Sequence, residues 1–270
     1  MPLTLVPTPI GNLEDITLRA LRVLREADVI ACEDTRTSSV LLKRYNIHKP
    51  LTSFHVHNEN DKLPALMAKL KEGVKVAVIS DAGTPGISDP GWILLKRAAD
   101  EGIDVDVLPG ASAVIPAVLL SGLRPQPFLF AGFPPEKNSE RLKFFETVKN
   151  LKCSLCFYVS PHKAVKDISD MIEIFGDRES SLVREISKLH QETIRGRLSV
   201  ILEKVATGVK GELVLIVDGA DERVNDDWKE KASAMIDEGM SVRDIAEEIT
   251  SSYSVPKNEI RKYIISVKEQ

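Results

Sequence analysis

The sequence contains few of the residues and patterns on which several common site chemistries depend. Its three cysteines are too few for a disulfide framework and favour a reducing, cytoplasmic location. Cys153 and Cys156 spell C-x-x-C, but they lie in an apolar strand pattern, where positions three apart point to opposite faces. We therefore interpret this pair as part of the core and not as a redox or metal site.

The sequence also lacks membrane and nucleotide signatures. Its first residues show no charged stretch followed by an apolar run, so we expect neither a secretory signal nor a membrane partner. The formal net charge is only -4, so any surface that binds nucleic acid must be local. The patterns G-x-x-x-x-G-K-[ST], G-x-G-x-x-G and G-x-S-x-G are absent. These absences argue against a nucleoside triphosphatase, a dinucleotide-binding enzyme and an α/β-hydrolase.

The stretch 74–91 indicates where a ligand binds. It begins with Val-Lys-Val-Ala-Val-Ile, which is typical of a strand buried on both faces of a parallel sheet. From Ser80 onward, roughly a dozen residues are mostly glycine, proline, serine, aspartate and threonine, a longer loop than the usual two to six residues. In open α/β sheets, ligands bind outside the carboxyl ends of strands. We therefore expect this loop to line a site.

Strand and helix patterns alternate along most of the chain, which predicts an α/β fold. A proline-containing linker at 123–127 separates two such runs. We expect two α/β domains, 1–123 and 124–222, and a small helical, helix-turn-helix-like extension, 226–270. The predicted strands are 3–6, 28–32, 51–54, 74–79, 104–108, 128–131, 154–159, 181–186 and 213–217.

The helical extension has a pattern of three helices, at about 227–238, 242–250 and 257–268. Such a unit resembles a helix-turn-helix module that contacts nucleic acid. A helical lid or a dimer arm fits the same pattern equally well. Its basic side chains are Arg243, Lys257, Arg261, Lys262 and Lys268.

Two further loops carry polar groups at the ends of predicted strands. Residues 33–39 could form a second wall of the site. A capping box that opens a helix at Val40 explains the hydroxyl side chains of this loop, but not the charges of Glu33, Asp34 and Arg36.

The other loop contains His55 and His57, followed by Glu59. Three ligands with zinc spacing are not evident, so we expect no metal. A polar loop that faces the substrate and a solvated turn both remain open.

Distinctive motifs lie at 8–13, 32–38, 53–59, 80–91, 109–113, 184–190 and 210–212. Together they resemble the ribosomal RNA branch of the tetrapyrrole methylase superfamily, the class III methyltransferases. The resemblance implies two α/β domains with S-adenosyl-L-methionine between them and a homodimer. It also implies 2′-O-methylation of a cytidine in the 16S RNA of the small ribosomal subunit. A corrin or porphyrin methylase and a non-catalytic ribosome-assembly module that binds S-adenosyl-L-methionine are the alternatives.

The charged and polar groups of these loops supply the candidate catalytic residues and RNA contacts, and the resemblance, carried over by position, implies the cofactor contacts. Lys188, Glu185 and Asp34 are the candidate catalytic residues, although a structural salt-bridge network would use the same residue types. Arg36, His57, Lys43 and Arg44 are the candidate RNA contacts. The expected cofactor contacts are Pro9, Ile10, Asp81, Ala82, Thr84, Ile87, Ser112, Ala113, Phe157, Tyr158, Ile186, Gly211 and Glu212.

Overall fold

A computed structural model describes residues 2–220, 227–253 and 257–268. The chain divides into two compact units, Met1–Gly219 and Ala220–Gln270. In the first unit the strands are β1 (Leu3–Leu5), β2 (Val29–Cys32), β3 (Leu51–Ser53), β4 (Val76–Ile79), β5 (Val105–Val107), β6 (Phe128–Gly132), β7 (Ser154–Val159), β8 (Glu179–Arg184), β9 (Glu192–Arg197) and β10 (Leu213–Val217). The helices of this unit are α1 (Leu18–Glu26), α2 (Thr35–Arg44), α3 (Glu59–Lys71), α4 (Trp92–Asp100), α5 (Val114–Ser121), α6 (Asn138–Val148), α7 (Ala164–Phe175) and α8 (Leu198–Ala206).

The first five strands form a parallel sheet in the order β3-β2-β4-β1-β5. Helices α1 and α2 cover one face of this sheet, and α3 and α4 cover the other. The chain therefore leaves the neighbouring strands β1 and β4 towards opposite faces. Such a switch point opens a crevice at the carboxyl ends of the two strands, where the loops 6–12 and 80–91 lie.

The other five strands form a mixed sheet in the order β6-β7-β10-β8-β9, in which only β6 and β7 are parallel. Helices α6, α7 and α8 cover one face. The opposite face packs on α5, through Val114, Ala117 and Val118. Helix α5 thus belongs to the first half by sequence and to the second sheet by packing.

These two sheets and the C-terminal helices confirm the predicted fold class. The boundary between domains 1–123 and 124–222 stays a prediction, because the two halves together form one compact unit. Cys156 is fully buried in β7, and burial raises the pKa of its thiol to about 12. Cys153 lies outside that strand and is half-buried.

Two local predictions were wrong. Helix α2 begins at Thr35 and not at Val40, because the Asp34 carboxylate caps it by accepting from the Arg36 N–H at 2.8 Å. Strand β9 was not expected, since Glu-Thr-Ile-Arg-Gly-Arg has a single large apolar residue, Ile194. Pairing with β8 makes it a strand all the same.

The described residues of the second unit form three helices, α9 (Asp227–Asp237), α10 (Val242–Tyr253) and α11 (Lys257–Lys268). They pack around the buried side chains of Trp228, Ile249 and Ile264, among others. Arg243 and Lys257 both lie near the Glu247 carboxylate, at 3.7 and 3.5 Å. No helix in the described ranges is both long and apolar enough to cross a membrane.

Candidate functional site

The loops that follow β1 and β4 are bonded to each other and form the floor of the crevice. Thr8 and Gly83 exchange backbone hydrogen bonds of 2.9 and 3.0 Å. The Thr8 hydroxyl donates to the Ser80 carbonyl at 3.1 Å, and the Ser80 hydroxyl donates to the Gly83 carbonyl at 3.2 Å. Thr8 and Ser80 are buried, so these bonds fix the path of an otherwise irregular backbone.

Glycines allow the loops to approach closely. Gly83 has a φ of +76°, and a Cβ there would lie 3.4 Å from Ile10 Cγ2. A Cβ on Gly110 would lie 2.6 Å from Pro7 Cβ, so only glycine fits without a backbone shift. The Thr84 hydroxyl donates to the Ala111 carbonyl at 3.3 Å. The loops after β1, β4 and β5 therefore form one narrow cradle of small residues.

Carboxylates gather at the carboxyl ends of β2 and β4. Asp81 accepts a hydrogen bond from the Asp34 N–H at 3.2 Å. Burial raises the pKa of Asp81, Asp89 and Glu33, and neighbouring carboxylates raise each further. This end of the crevice is electronegative and favours a ligand with positive charge.

Asp34 differs from these carboxylates. Its Oδ2 lies 2.7 Å from Arg36 Nη2. Hydrogen bonds from the Arg36 side chain and N–H lower the pKa of Asp34 to about 2. Asp34 is therefore an anion engaged with Arg36 and a weak proton acceptor at neutral pH.

A second wall is formed by the loop that follows β8 and the loop that precedes β10. Lys188 Nζ lies 2.8 Å from Glu185 Oε1 and 3.3 Å from Glu212 Oε2. Glu185 Oε1 also accepts from the Glu212 N–H at 2.9 Å. Gly211 has a φ of +92°, and a Cβ there would lie 2.5 Å from the Glu185 carboxyl. The network therefore depends on glycine at this position.

The charges in this network reinforce one another. The hydrogen bond from Lys188 lowers the pKa of Glu185. Burial opposes the charge of Lys188, but hydrogen bonds and attraction from Glu185 and Glu212 raise its pKa above the usual range. Lys188 therefore remains a cation at physiological pH.

The two walls meet in one cleft. A Cβ on Gly11 would lie 2.4 Å from Lys188 Cγ, so the loop after β1 packs directly on this lysine. The Ser187 hydroxyl donates to the Asp15 carboxylate, across the same contact. Ile10 and Tyr158 pack against one apolar cluster that joins both halves.

The structure brings most of the predicted cofactor contacts to this cleft, although as contacts they stay predictions. Phe157 is the exception: its ring is fully buried on the opposite face of the second sheet, where it packs against Phe145 and Phe175. Only its backbone could meet a ligand. Its neighbour Tyr158 faces the cleft side, because successive strand residues alternate.

The predicted RNA contacts are exposed but spread out. Arg36 is in the first turn of α2, and its side chain is 90% exposed. Lys43 and Arg44 are exposed in the last turn of the same helix, about 11 Å along its axis from Arg36. His57 is exposed in the turn after β3.

Sequence reasoning missed Asp89 as an individual site residue. It lies in the second half of the loop 80–91, in the turn Ser-Asp-Pro-Gly, where a simple turn explains its type equally well. The signal is tertiary: burial, with smaller contributions from Cys156, Asp89 and Glu212, raises the pKa of Tyr158 to about 12. Both carboxylates therefore lie near the Tyr158 hydroxyl.

The crevice lies at a switch point, and loops from both α/β halves line it. This architecture and the sequence can be compared with known families. Residues 2–201 match the model of the tetrapyrrole (corrin/porphyrin) methylases, and the chain belongs to this family. It is therefore a methyltransferase whose methyl donor is S-adenosyl-L-methionine.

Its sequence relatives have a more specific name, ribosomal RNA small subunit methyltransferase I. The protein of that name from Halalkalibacterium halodurans is 41% identical over 268 residues, which cover 96% of this chain and 92% of the relative. That from Bacillus subtilis is 39% identical over 268 residues, with the same coverage. That from Thermotoga maritima is 44% identical over 218 residues, 80% of this chain and 98% of the relative.

Solved structures support the fold. Cobalt precorrin-4 methyltransferase matches 80% of this chain and 94% of its own, with a TM-score of 0.58 and 17% identity. Diphthine synthase matches 80% of this chain and 89% of its own, with a TM-score of 0.62 and 14% identity. At such identities the likeness shows the architecture alone.

Proposed function

We propose that this enzyme methylates the 2′-hydroxyl of a cytidine in 16S ribosomal RNA, with the assembled small subunit as its substrate. The observation that carries the proposal is similarity along nearly the whole chain to proteins named as small-subunit ribosomal RNA methyltransferases. The alternative of a tetrapyrrole substrate has weaker support, because the porphyrin and precorrin methyltransferases found are only 17–21% identical. We further propose a cytoplasmic homodimer.

The cradle fits S-adenosyl-L-methionine. Gly83 and Gly110 let the loops of the cradle approach one another closely, and the nearby carboxylates favour a sulfonium cation. The cofactor supplies an electrophilic methyl group. The residues proposed to hold it are Pro9, Ile10, Asp81, Ala82, Thr84, Ile87, Ser112, Ala113, Tyr158, Ile186, Gly211, Glu212 and the backbone of Phe157.

Lys188 is the proposed catalytic charge. A ribose hydroxyl is weakly acidic, so its oxygen gains negative charge as it attacks the methyl group. A cation held in advance beside that oxygen lowers the barrier without reorganisation. Glu185 and Glu212 hold the Lys188 ammonium in place. Because it stays protonated, Lys188 acts through charge and not as a base, and the proton of the ribose hydroxyl passes to solvent water.

Glu185 and Asp34 act as positioning groups in this scheme. Lys188 lowers the pKa of Glu185 and Arg36 lowers that of Asp34, so both are weak proton acceptors. Glu185 orients Lys188, and Asp34 orients Arg36. The exposed cations of α2 then contact phosphates, together with His57. Arg36, Lys43 and Arg44 supply these phosphate contacts.

The test is transfer of tritiated methyl groups from S-adenosyl-L-methionine. Small subunits that lack the modification, free 16S RNA and uroporphyrinogen are offered separately, and labelled RNA is digested to nucleosides. We expect label in 2′-O-methylcytidine from the subunits. Label in the porphyrin ring alone, or in no acceptor, would refute the proposal.

A further inference from the structure

An exposed aromatic ring lies at the edge of the second sheet where the cleft opens. Phe133 follows β6 directly, and it is 58% exposed in a chain with only 5% aromatic residues. Its ring centroid lies 5.3 Å from that of Tyr158, whose ring lies 4.9 Å from that of Phe130 on its other contact. Three rings thus run from the apolar cluster under the cleft to the surface.

The register of the sheet places Phe133 at the same end of the sheet as Glu212, which holds the proposed catalytic charge of Lys188. Gly132 pairs with Phe157 at the carboxyl ends of β6 and β7. At the same edge β10 begins, since Leu213 pairs with Val159, and Glu212 immediately precedes it. Phe133 therefore lies at the same end of the sheet as the wall that holds Lys188, with β7 between them.

The backbone turns Phe133 outward by a defined irregularity. The register between β6 and β7 shifts between Phe130 and Gly132, which indicates a bulge. Gly132 has a φ of +65°, and a Cβ there would meet no atom within 4 Å. The position therefore needs glycine for its conformation and not for space. Bulges commonly re-aim a side chain next to an active site.

A buried cation holds the loop that carries Phe133. Arg141 is 1% exposed, and its guanidinium donates to the carbonyls of Pro135 and Glu136 at 3.1 and 3.0 Å. It also lies 2.6 Å from Asp170 and 3.5 Å from Asp167. Burying such a group has a large desolvation cost. Here it fixes a surface loop in advance.

We propose that Phe133 is a stacking platform for an unpaired nucleobase of the acceptor RNA, next to the nucleotide that is methylated or on that nucleotide itself. The inference rests on the proposed function, because it takes RNA as the acceptor. Proteins that act on a single RNA nucleotide unstack its base and receive it on an aromatic ring. A fixed, exposed ring at the end of the sheet where the cleft opens would hold the acceptor nucleotide in position with little ordering cost.

The test compares three variants of the full-length enzyme. Phe133→Leu keeps the apolar bulk and removes the aromatic face, Phe133→Tyr keeps the face, and Val165→Ala alters an exposed apolar residue of α7 as the control. Unmodified small subunits and tritiated S-adenosyl-L-methionine are the substrates. Cofactor affinity is measured by calorimetry and oligomeric state by light scattering.

We expect Phe133→Leu to lower kcat/KM for the subunit by about 10- to 100-fold, the usual range for a lost base–aromatic stack. Phe133→Tyr and Val165→Ala should stay within about twofold of the parent, and no variant should change cofactor affinity or oligomeric state. A kcat/KM for Phe133→Leu equal to that of the parent overturns the platform. A change in oligomeric state would make Phe133 a subunit contact, and a change in cofactor affinity would make it part of the cofactor site; either result also overturns it.

The parent enzyme separates this inference from the proposed function. If the parent labels no RNA, the proposed function fails and the platform falls with it. If the parent labels the subunit while Phe133→Leu labels it equally well, only the platform is refuted.

Discussion

Replacing Lys188 with methionine isolates the proposed catalytic charge, because the side chain keeps most of its length and apolar stem. In the parent, the ammonium lies 2.8 Å from Glu185 and 3.3 Å from Glu212. The substitution leaves these two carboxylates facing the acceptor oxygen without the cation between them. The developing negative charge is then no longer stabilised and is also repelled.

The size of the effect follows from the position of Lys188. A unit charge about 4 Å from the oxygen contributes up to roughly 4 kcal/mol at an effective dielectric constant of about 20. The Lys188 side chain is 28% exposed, so solvent screens part of this. We expect the single-turnover rate to fall by about 10²- to 10³-fold, as when an oxyanion-hole donor is removed. Affinity for S-adenosyl-L-methionine should change by less than about threefold, because Lys188 is not among the residues proposed to hold the cofactor.

The assay is single-turnover methyl transfer to unmodified small subunits at saturating enzyme, with calorimetry for the cofactor. Lys188→Arg, which keeps the charge, should recover part of the rate. Lys204→Met, at an exposed position in the last turn of α8, is the matched control. Parent-like transfer by Lys188→Met would show that proximity alone carries the reaction. A parallel loss of cofactor affinity would move Lys188 into the cofactor site.

Three further predictions test other parts of the molecule. Ala82→Trp fills the exposed floor of the cradle, so calorimetry should detect no cofactor binding while the melting temperature stays within about 2 °C. Burial raises the pKa of Asp167 from 3.8 to about 6 despite Arg141; the folded state therefore binds this proton more tightly, and stability present below pH 4 is lost as the pH rises through 6. Asp167→Asn removes that loss. The unfolding free energy of the variant minus that of the parent, measured in urea, should therefore increase by up to about 3 kcal/mol from pH 4 to pH 7.5. Deleting 220–270 should raise the apparent KM for the subunit and lower its salt dependence without changing cofactor affinity; unchanged salt dependence would instead indicate a lid or dimer arm.

The T. maritima relative bears on the deletion. It aligns over 98% of its length with only 218 residues of this chain, and the family model ends at residue 201. About a fifth of this chain therefore has no counterpart in the T. maritima protein, although that protein has the same name as the other relatives. Within the second unit, Arg243, Lys257 and Lys231 lie close to carboxylates. Fewer cations are therefore free for phosphate than the sequence alone indicated.

The sequence predicts the fold well where a strand is buried on both faces. Strand β4 has four consecutive apolar residues, all buried, so its pattern does not depend on its neighbours. Strand β9 is an edge strand without a buried residue, and its pairing with β8 comes from tertiary contact. The predicted start of α2 was wrong because an aspartate such as Asp34 suits a ligand site as well as a helix cap. Only the structure shows that its carboxylate caps the helix.

The candidate site is predictable loop by loop but not as an arrangement. The loops after β1, β4 and β5 contain glycine, proline and small polar residues, and this composition alone predicts that they line a ligand site. The contact of Gly11 with Lys188 joins residues from different sheets, and no local pattern encodes it. The sequence likewise does not show which of Phe157 and Tyr158 faces the cleft, because both faces of β7 are covered by apolar side chains.

The walls of the cleft are polar, but apolar packing holds them in place. Its two walls are joined by the packing of α5 on the second sheet and by the contact of Gly11 with Lys188. Ser112 and Ala113 lie at the start of α5, so the same helix that covers the second sheet also ends the cofactor cradle. Apolar burial resists deformation, since interiors are close-packed. The position of Lys188 relative to the cradle is therefore set before substrate arrives, which is the condition under which a fixed charge lowers a barrier.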